Sequence, residues 1–470
     1  MPRYAYVAAL AALILAAILL ISCSGSSSSA KLATVQVTVS DPTTCASPQG
    51  PFSHIYVTVT DVRIHQSATA SASDSGWVDL TPNLMSNPVQ VDLLGAANQC
   101  FLGTLGSNGI PPGTYQQIRI LLAASSMGIS SNKCGSSASC VMLTSDPMNT
   151  PETLQLSSET QTGIKISSGQ LAGGQFVVAA GDNKDLNLDF DACQSIVPQG
   201  NGKYRLLPVL HAGEVALQSS STSISGTVID SATTQPIVGG TTVVAIEQKD
   251  TGAVDRVVME TVADASGSFS FCPLPSGTYD VVIAAVNGAG IAYAATVITG
   301  VQPGNALGNV PLTAALVPGS ITGTITTTTG SMATSADLSL SALQSITEGS
   351  STVLVTVPLA AQSMATATVS TAAGAGCAAN TNCASYTLSV PAANPSVGHF
   401  TAGPSQSPAA PAVGPANYTV DAIAFVPGAA AQLDCSPSEL QVNQTSTNTT
   451  LTVVSGVPVT AAALSFSGCN

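Results

Sequence analysis

The chain reads as an all-β protein built from tandem sandwich domains, and three observations predict it. Val, Ile and Thr recur with period-two alternation in short segments, as in His54–Ile64 (His-Ile-Tyr-Val-Thr-Val-Thr-Asp-Val-Arg-Ile). That alternation is the pattern of a half-buried strand. Clusters of Pro, Gly and Asn punctuate these segments. No segment carries a 3.6-residue apolar repeat flanked by caps. The 470 residues leave room for about three domains. Charged residues are 8% of the chain, against about 25% in an ordinary globular protein. The richness in Val, Ile and Thr nonetheless argues for folded strands rather than disorder.

The N-terminus comes first. Behind Arg3 a nearly unbroken apolar run extends from Ala5 to Leu20, and the next residues are Ile21-Ser22-Cys23. A charged start, an apolar stretch and a small residue before a cysteine are the order of a bacterial lipoprotein signal. The expectation is a signal peptide over 1–22, lipidation at Cys23, and a flexible Ser-rich tether over 23–32. An uncleaved anchor, or a plain secretory signal with Cys23 a bystander, are the rival readings. Ser24 rather than Asp after the cysteine is similar to signals that sort to an outer membrane. The predicted address is thus the cell envelope, on the periplasmic or surface face of that membrane.

Export bears on the cysteines. Eleven are present; setting Cys23 aside leaves an even ten, which in an oxidising compartment favours disulfides. Cys134 and Cys140 bracket one Gly/Ser-rich loop and Cys377 and Cys383 another, so both pairs are predicted as local bridges. Cys435 and Cys469 are predicted to tie the last strand to its domain. The pairing of Cys45, Cys100, Cys193 and Cys272 stays open. A net charge of −14 excludes nucleic acid, which demands basic patches, and argues against electrostatic docking on anionic lipid.

A first domain is expected over 33–218, with strands at Leu32–Val39, His54–Ile64, Val89–Leu94, Gln116–Ala123, Gly174–Ala180, Lys184–Phe190 and Tyr204–Val209. Met127–Pro151 reads as a disulfide-tied loop. A second domain is expected over 222–314, with seven short strands: Ser223–Asp230, Thr241–Glu247, Arg256–Ala263, Ser268–Cys272, Thr278–Ala284, Ile291–Ile298 and Gly308–Leu312. Seven strands in so short a span suggest a small sandwich able to fold alone. A third, Ala/Ser/Thr-rich region over 318–470 has candidate strands at Ser320–Thr326, Thr352–Pro358, Ser385–Val390, Asn417–Phe425 and Thr449–Val454. Pro395–Pro415 within it reads as a long loop or linker. A corner recurs: Pro112-Gly113-Thr114-Tyr115, Pro275-Ser276-Gly277-Thr278-Tyr279 and the weaker Pro415-Ala416-Asn417-Tyr418. Each delivers a Tyr into a strand, and at Gly277 a positive φ is expected at the tight turn.

The second domain resembles the carboxypeptidase regulatory-like family, a transthyretin-like sandwich. The residues that carry this are Ser225-Gly226-Thr227-Val228 with Asp230, then Pro236, Gly239, Asp264, Gly267 and Phe269, then Leu274-Pro275 and Gly277-Thr278-Tyr279. The resemblance implies a non-catalytic appendage within a fold class that includes carbohydrate binders. The first domain is similar to a domain of unknown function of bacterial lipoproteins, DUF4382. Here the matching residues are His54–Val62, Gly76-Trp77-Val78-Asp79-Leu80, Val91-Asp92-Leu93-Leu94 and Pro112–Arg119. That resemblance implies no chemistry.

Candidate chemistry is sparse. On a strand, Asp185, Asn187, Asp189 and Asp191 would share one face, and Asp185, Asp189 and Asp191 could hold calcium; a solvated face on an edge strand is the plainer reading. The four histidines, His54, His65, His211 and His399, fall in no zinc motif. Trp77 could stack on a sugar or pack in a core, and packing is the commoner fate. No catalytic signature stands out. The expected function is a non-enzymatic, lipid-anchored envelope protein, without cofactor, presenting surfaces to a glycan or another envelope protein. A structural spacer or adhesion lipoprotein is the alternative, and a hydrolase with a dispersed site in the first domain is the third.

Overall fold

The computed structural model describes the chain except for residues 1–30, 41–51, 95–102, 126, 157–162, 167–170, 172–173, 191–194, 199–202, 207–209, 216–222, 250–253, 272–273, 275–276, 331, 375, 427–433 and 470. Cys23, Cys45, Cys100, Asp191, Cys193 and Cys272 therefore lie outside the described residues. Strands dominate the remainder, arranged in several sheets around three main cores.

In the first unit a four-stranded sheet runs in the order Leu210–Val215, Asn183–Phe190, Ala33–Ser40, Gly103–Ile110. It packs on a larger sheet centred on Phe52–His65, which pairs with Gln117–Leu122 along Val59–His65 and with Cys140–Leu143 along Phe52–Tyr56. Inward residues such as Val35, Val37, Ile55, Val57, Leu186 and Leu188 fill the core. Gly103–Ile110 was not among the expected strands, because three glycines dilute its alternation; Cys140–Leu143 forms a strand inside the expected loop.

The second unit has a three-stranded sheet, Ser268–Phe271, Ile224–Asp230, Ala306–Leu312. Facing it is a five-stranded sheet: Asp255–Val262, Thr241–Lys249, Tyr279–Val286, Thr296–Val301 and Ser396–His399. All seven expected strands are present, the sixth displaced to Thr296–Val301. The fifth strand of the larger sheet comes from the region read as a linker. Ser396–His399 adds in parallel to Thr296–Val301, Thr296 opposite Ser396. The chain then crosses to the other sheet, where Gln406 Nε2 donates to the Leu307 carbonyl at 2.7 Å and Asn309 N–H donates to the Pro404 carbonyl at 2.8 Å. Pro395–Pro415 is thus a strap that closes one open edge of the second sandwich. Two left-handed glycines make room for it. A Cβ at Gly300 (φ +75°) would fall against the His399 ring, and one at Gly308 (φ +63°) against the Pro404 carbonyl.

Residues of the third unit also cover the outer face of the five-stranded sheet. Val282 and Val297 pack with Ile346, Val353 and Val355; Val243 and Ala284 pack with Ala360; Ala245 and Val257 pack with Ala365. The inner face carries Val244, Ile246, Val281 and Ile283 into the second core. Both faces being buried explains why Thr241–Lys249 and Tyr279–Val286 read as continuous apolar runs instead of alternating. The third unit is itself a sandwich. One sheet is centred on Gly319–Thr329 paired with Asn382–Val390, the other on Asp337–Glu348 between Ser351–Thr356 and Thr419–Phe425. Asp337–Glu348, the strand of 12 residues at its centre, is not among the expected strands; its Ser, Ala, Leu and Gln are as compatible with helix as with strand.

The tyrosine corners are packed as expected, but for a different reason at the glycine. Tyr115, Tyr279 and Tyr418 are buried, and the Tyr115 and Tyr418 hydroxyls donate to the Pro111 and Pro391 carbonyls, each at 2.8 Å. Gly113 and Gly277 are not at positive φ. Close approach crowds a side chain at both: a Cβ at Gly113 would displace the Gln66 amide, and one at Gly277 would meet Gln248 Nε2 at 3.0 Å.

Candidate functional site

Three disulfides are present among the described residues: Cys134–Cys140, Cys377–Cys383 and Cys435–Cys469. The first closes a loop that Asn132 holds, its Nδ2 donating to the Ser137 carbonyl at 2.8 Å.

The acidic row sits elsewhere than a solvated edge. Asn183–Phe190 is an interior strand of its sheet, and Asn187 and Asp189 are buried. Thr38 Oγ1 donates to Asn187 Oδ1 at 3.0 Å, Asn187 Nδ2 donates to Ser40 Oγ at 2.7 Å, and Ser40 Oγ donates to Asp189 Oδ1 at 2.8 Å. This chain of bonds faces the second unit: Asn187 and Asp189 share a crevice with Val258, Met259 and Leu274. Asp185 is half-buried on the same strand. Among the described residues no group of three or more His, Cys, Asp or Glu side chains is placed to hold a metal ion.

Trp77 is not a free platform. Its ring lies 5.2 Å from the Arg63 guanidinium carbon, 5.3 Å from that of Arg119 and 5.1 Å from the His65 ring, and its Nε1 donates to the Ser71 carbonyl at 2.8 Å. Arg119 is fully buried and donates to the Ala70 carbonyl. Burial and the neighbouring Arg63 lower its pKa to about 10. The cluster fastens the 66–77 segment onto the sheet by cation–π and hydrogen-bond contacts.

The histidines are distributed. His54 Nδ1 meets Asp92 Oδ2 at 2.7 Å, but the adjacent Ser53 hydroxyl donates to Asn149 Oδ1 rather than to His54. His65 Nδ1 accepts from Ser67 N–H, which leaves Nε2 protonated to donate to the Ser75 carbonyl. His399 contacts Thr299 Oγ1 at 3.1 Å in the strap. The side chain of His211 lies outside the description.

What the fold does assemble lies at the joints between units. Between the first and second is a cavity of about 300 Å³, lined by Phe176, Asp182, Lys184, Glu214 and Gln248 among others. Lys184 Nζ donates to both Glu214 oxygens at 2.8 and 2.7 Å. Its size is at the small end for ligand pockets.

Between the second and third units, charged groups are buried in numbers unusual for so uncharged a chain. Arg256 forks to Asp421 Oδ2 at 2.7 Å and Glu439 Oε1 at 2.6 Å. Glu260 Oε2 accepts from Ala365 N–H at 2.8 Å, and Glu247 Oε2 from Thr356 N–H at 3.0 Å. Glu247, Asp255 and Asp280 are each 0–7% exposed. Burial raises the pKa of all three, and mutual proximity raises those of Glu247 and Asp255 further. A looser tie, Arg205 to Asp337 at 3.5 Å, joins the first unit to the third. None of these joint carboxylates belongs to a sequence motif; the only signal was acidic residues set inside or beside continuous apolar runs.

No curated protein sequence matches the chain. Among solved structures, the TIE protein of Bacillus anthracis aligns with TM-score 0.16 and 9% identity, over 93% of this chain and 51% of that one. The chain therefore spans about half the length of that protein. A DUF3823 family protein from Bacteroides uniformis aligns with TM-score 0.15 and 11% identity, over 47% of this chain and 98% of that one. A shaft pilin from Lactobacillus rhamnosus aligns with TM-score 0.16 and 10% identity, over 61% and 97%. Residues 32–208, the bulk of the first sandwich, match the family described as Domain of unknown function (DUF4382).

Proposed function

We propose that this chain is a non-enzymatic, lipid-anchored protein of the cell envelope whose three sandwiches form one stiff body that presents binding surfaces. The observation that carries the reading is where the charged side chains go. In a chain with 8% charged residues, Arg256, Asp421, Glu247, Glu260, Arg205 and Asp337 all join one unit to another. A general acid or base must reach a substrate, and carboxylates buried in joints do not. On this reading the second unit is a carboxypeptidase regulatory-like sandwich acting as a central block. Cys23 supplies the lipid, and 23–32 the tether.

The ligand class that suits the cavity between the first two units is carbohydrate. Gln248, Asp182 and the Lys184–Glu214 pair offer donors and acceptors, and Phe176 offers an apolar wall. The test is a glycan array probed with the soluble chain from Ser24 onward, beside a Lys184→Ala/Glu214→Ala variant. Binding by the parent and its loss in a variant of equal thermal stability supports the reading. An array without binding favours the spacer.

A further inference from the structure

Glu247 lies directly opposite Asp280 across the paired strands Thr241–Lys249 and Tyr279–Val286, and Asp255 opposite Lys249 on the other side. All three carboxylates are on or beside the outer face of the sheet, which the third unit covers. Glu247 Oε1 and Asp255 Oδ2 are buried with no hydrogen-bond partner among the described residues. Two of these residues, Glu247 and Asp255, anchor Thr356 across the joint, and Asp280 is held within its own sheet. Glu247 Oε2 takes Thr356 N–H, the Asp255 backbone carbonyl takes Thr356 Oγ1 at 3.2 Å, and Asp280 Oδ1 takes Gly300 N–H at 3.1 Å.

The charged groups around them are Lys249, Arg256, Glu348 and His399. Lys249 is drawn to Glu348 at 3.8 Å, Arg256 is held by Asp421 and Glu439, and His399 meets Thr299. Three ionised carboxylates packed together with so little countercharge would repel strongly at low dielectric.

We propose that the joint between the second and third units is a proton-dependent lock. Glu247, Asp255 and Asp280 hold protons while the third unit is docked, and losing them releases Ser351–Thr356 from the sheet.

The sign follows from linkage. A carboxyl whose pKa is higher folded than unfolded adds stability that is complete at low pH and lost as pH rises towards the folded value. Asp255 is pushed up to about 8, first by burial and then by Asp280, so the window runs from about 4 to about 8. The joint tightens in acid and loosens in mild alkali.

The experiment is amide hydrogen exchange at Thr356 in the full chain between pH 5 and 9, corrected for intrinsic exchange. A Glu247→Gln/Asp255→Asn/Asp280→Asn variant, neutral at all three positions at every pH, is measured beside it. The wild type should lose protection at least about tenfold, the equivalent of one pK unit, and the variant should stay flat. Wild-type protection that does not change with pH, or a variant as pH-sensitive as the parent, overturns the proposal. If the variant does not fold, carboxyl titration of the wild type by NMR decides. At least one of the three should remain protonated above pH 6; three midpoints below pH 6 refute the lock.

Discussion

Thr356, in the third unit, donates its backbone N–H to Glu247 Oε2, in the second, at 3.0 Å. The bond crosses between two sandwiches and ends on a side chain with no exposed surface. A contact of this kind ties the two units into one structural body, because losing either partner in the docked state would leave the other buried and unsatisfied.

Arg256 is the strongest single tie. Its guanidinium reaches two carboxylates, and Asp421 has a side chain only 1% exposed. Arg256→Ala should cost about 3–5 kcal/mol, since it leaves a buried carboxylate without its cation. Arg256→Lys should recover part of this, because an ammonium cannot reproduce the two-pronged fork. Urea unfolding of the three proteins at neutral pH provides the comparison, and an alanine variant as stable as the parent would show the tie to be idle.

The strap should depend on its two glycines. Gly308→Ala places a side chain at φ +63° and against the Pro404 carbonyl. A residue held in that region costs about 1–3 kcal/mol, and the clash adds to it. The melting temperature should fall, and protease should cut within 395–415 in the variant before it does so in the parent.

Tyr279 is 1% exposed in the second core. Tyr279→Ala should cost about 3–5 kcal/mol, as large-to-small aromatic truncations do. Denaturant titration checks it, with Val238→Ala, at a residue 79% exposed, as a control expected to change nothing.

The Cys435–Cys469 bridge joins residues 34 apart, while the two local bridges join residues six apart. On the chain-entropy model the longer loop gains more, about 3–4 kcal/mol. A Cys435→Ala/Cys469→Ala variant should therefore lose more stability than Cys377→Ala/Cys383→Ala. Equal losses would indicate that the bridges act through local packing instead.

Much of this fold could be read from residue order, because alternation in β-branched residues registers directly which face of a strand is buried. His54–Ile64 and Ser223–Asp230 were legible for that reason. Gly103–Ile110 and Asp337–Glu348 were not, since glycine removes the pattern in one and helix-compatible residues blur it in the other. Pro395–Pro415 looked like a linker because a strap held mostly by backbone hydrogen bonds needs no apolar alternation. The joints were half legible. The runs Val243–Ile246 and Val281–Ala285 announce strands buried on both faces, but a run does not say what covers the second face. Nor does a lone Glu247 or Asp280 announce that the fold will set them side by side. Trp77 was ambiguous for the same reason: its partners Arg63 and Arg119 are distant in sequence and adjacent only in the sheet.

The most direct test of the account compares two fragments, 222–314 and 222–470. The shorter one keeps seven strands but loses the Ser396–His399 strand and exposes Val243, Ala245, Val282, Ala284 and Val297. The account predicts that 222–470 is monomeric and unfolds in a single cooperative transition, while 222–314 self-associates and melts without a sharp transition. A monomeric 222–314 that melts cooperatively at the same temperature as 222–470 would contradict it.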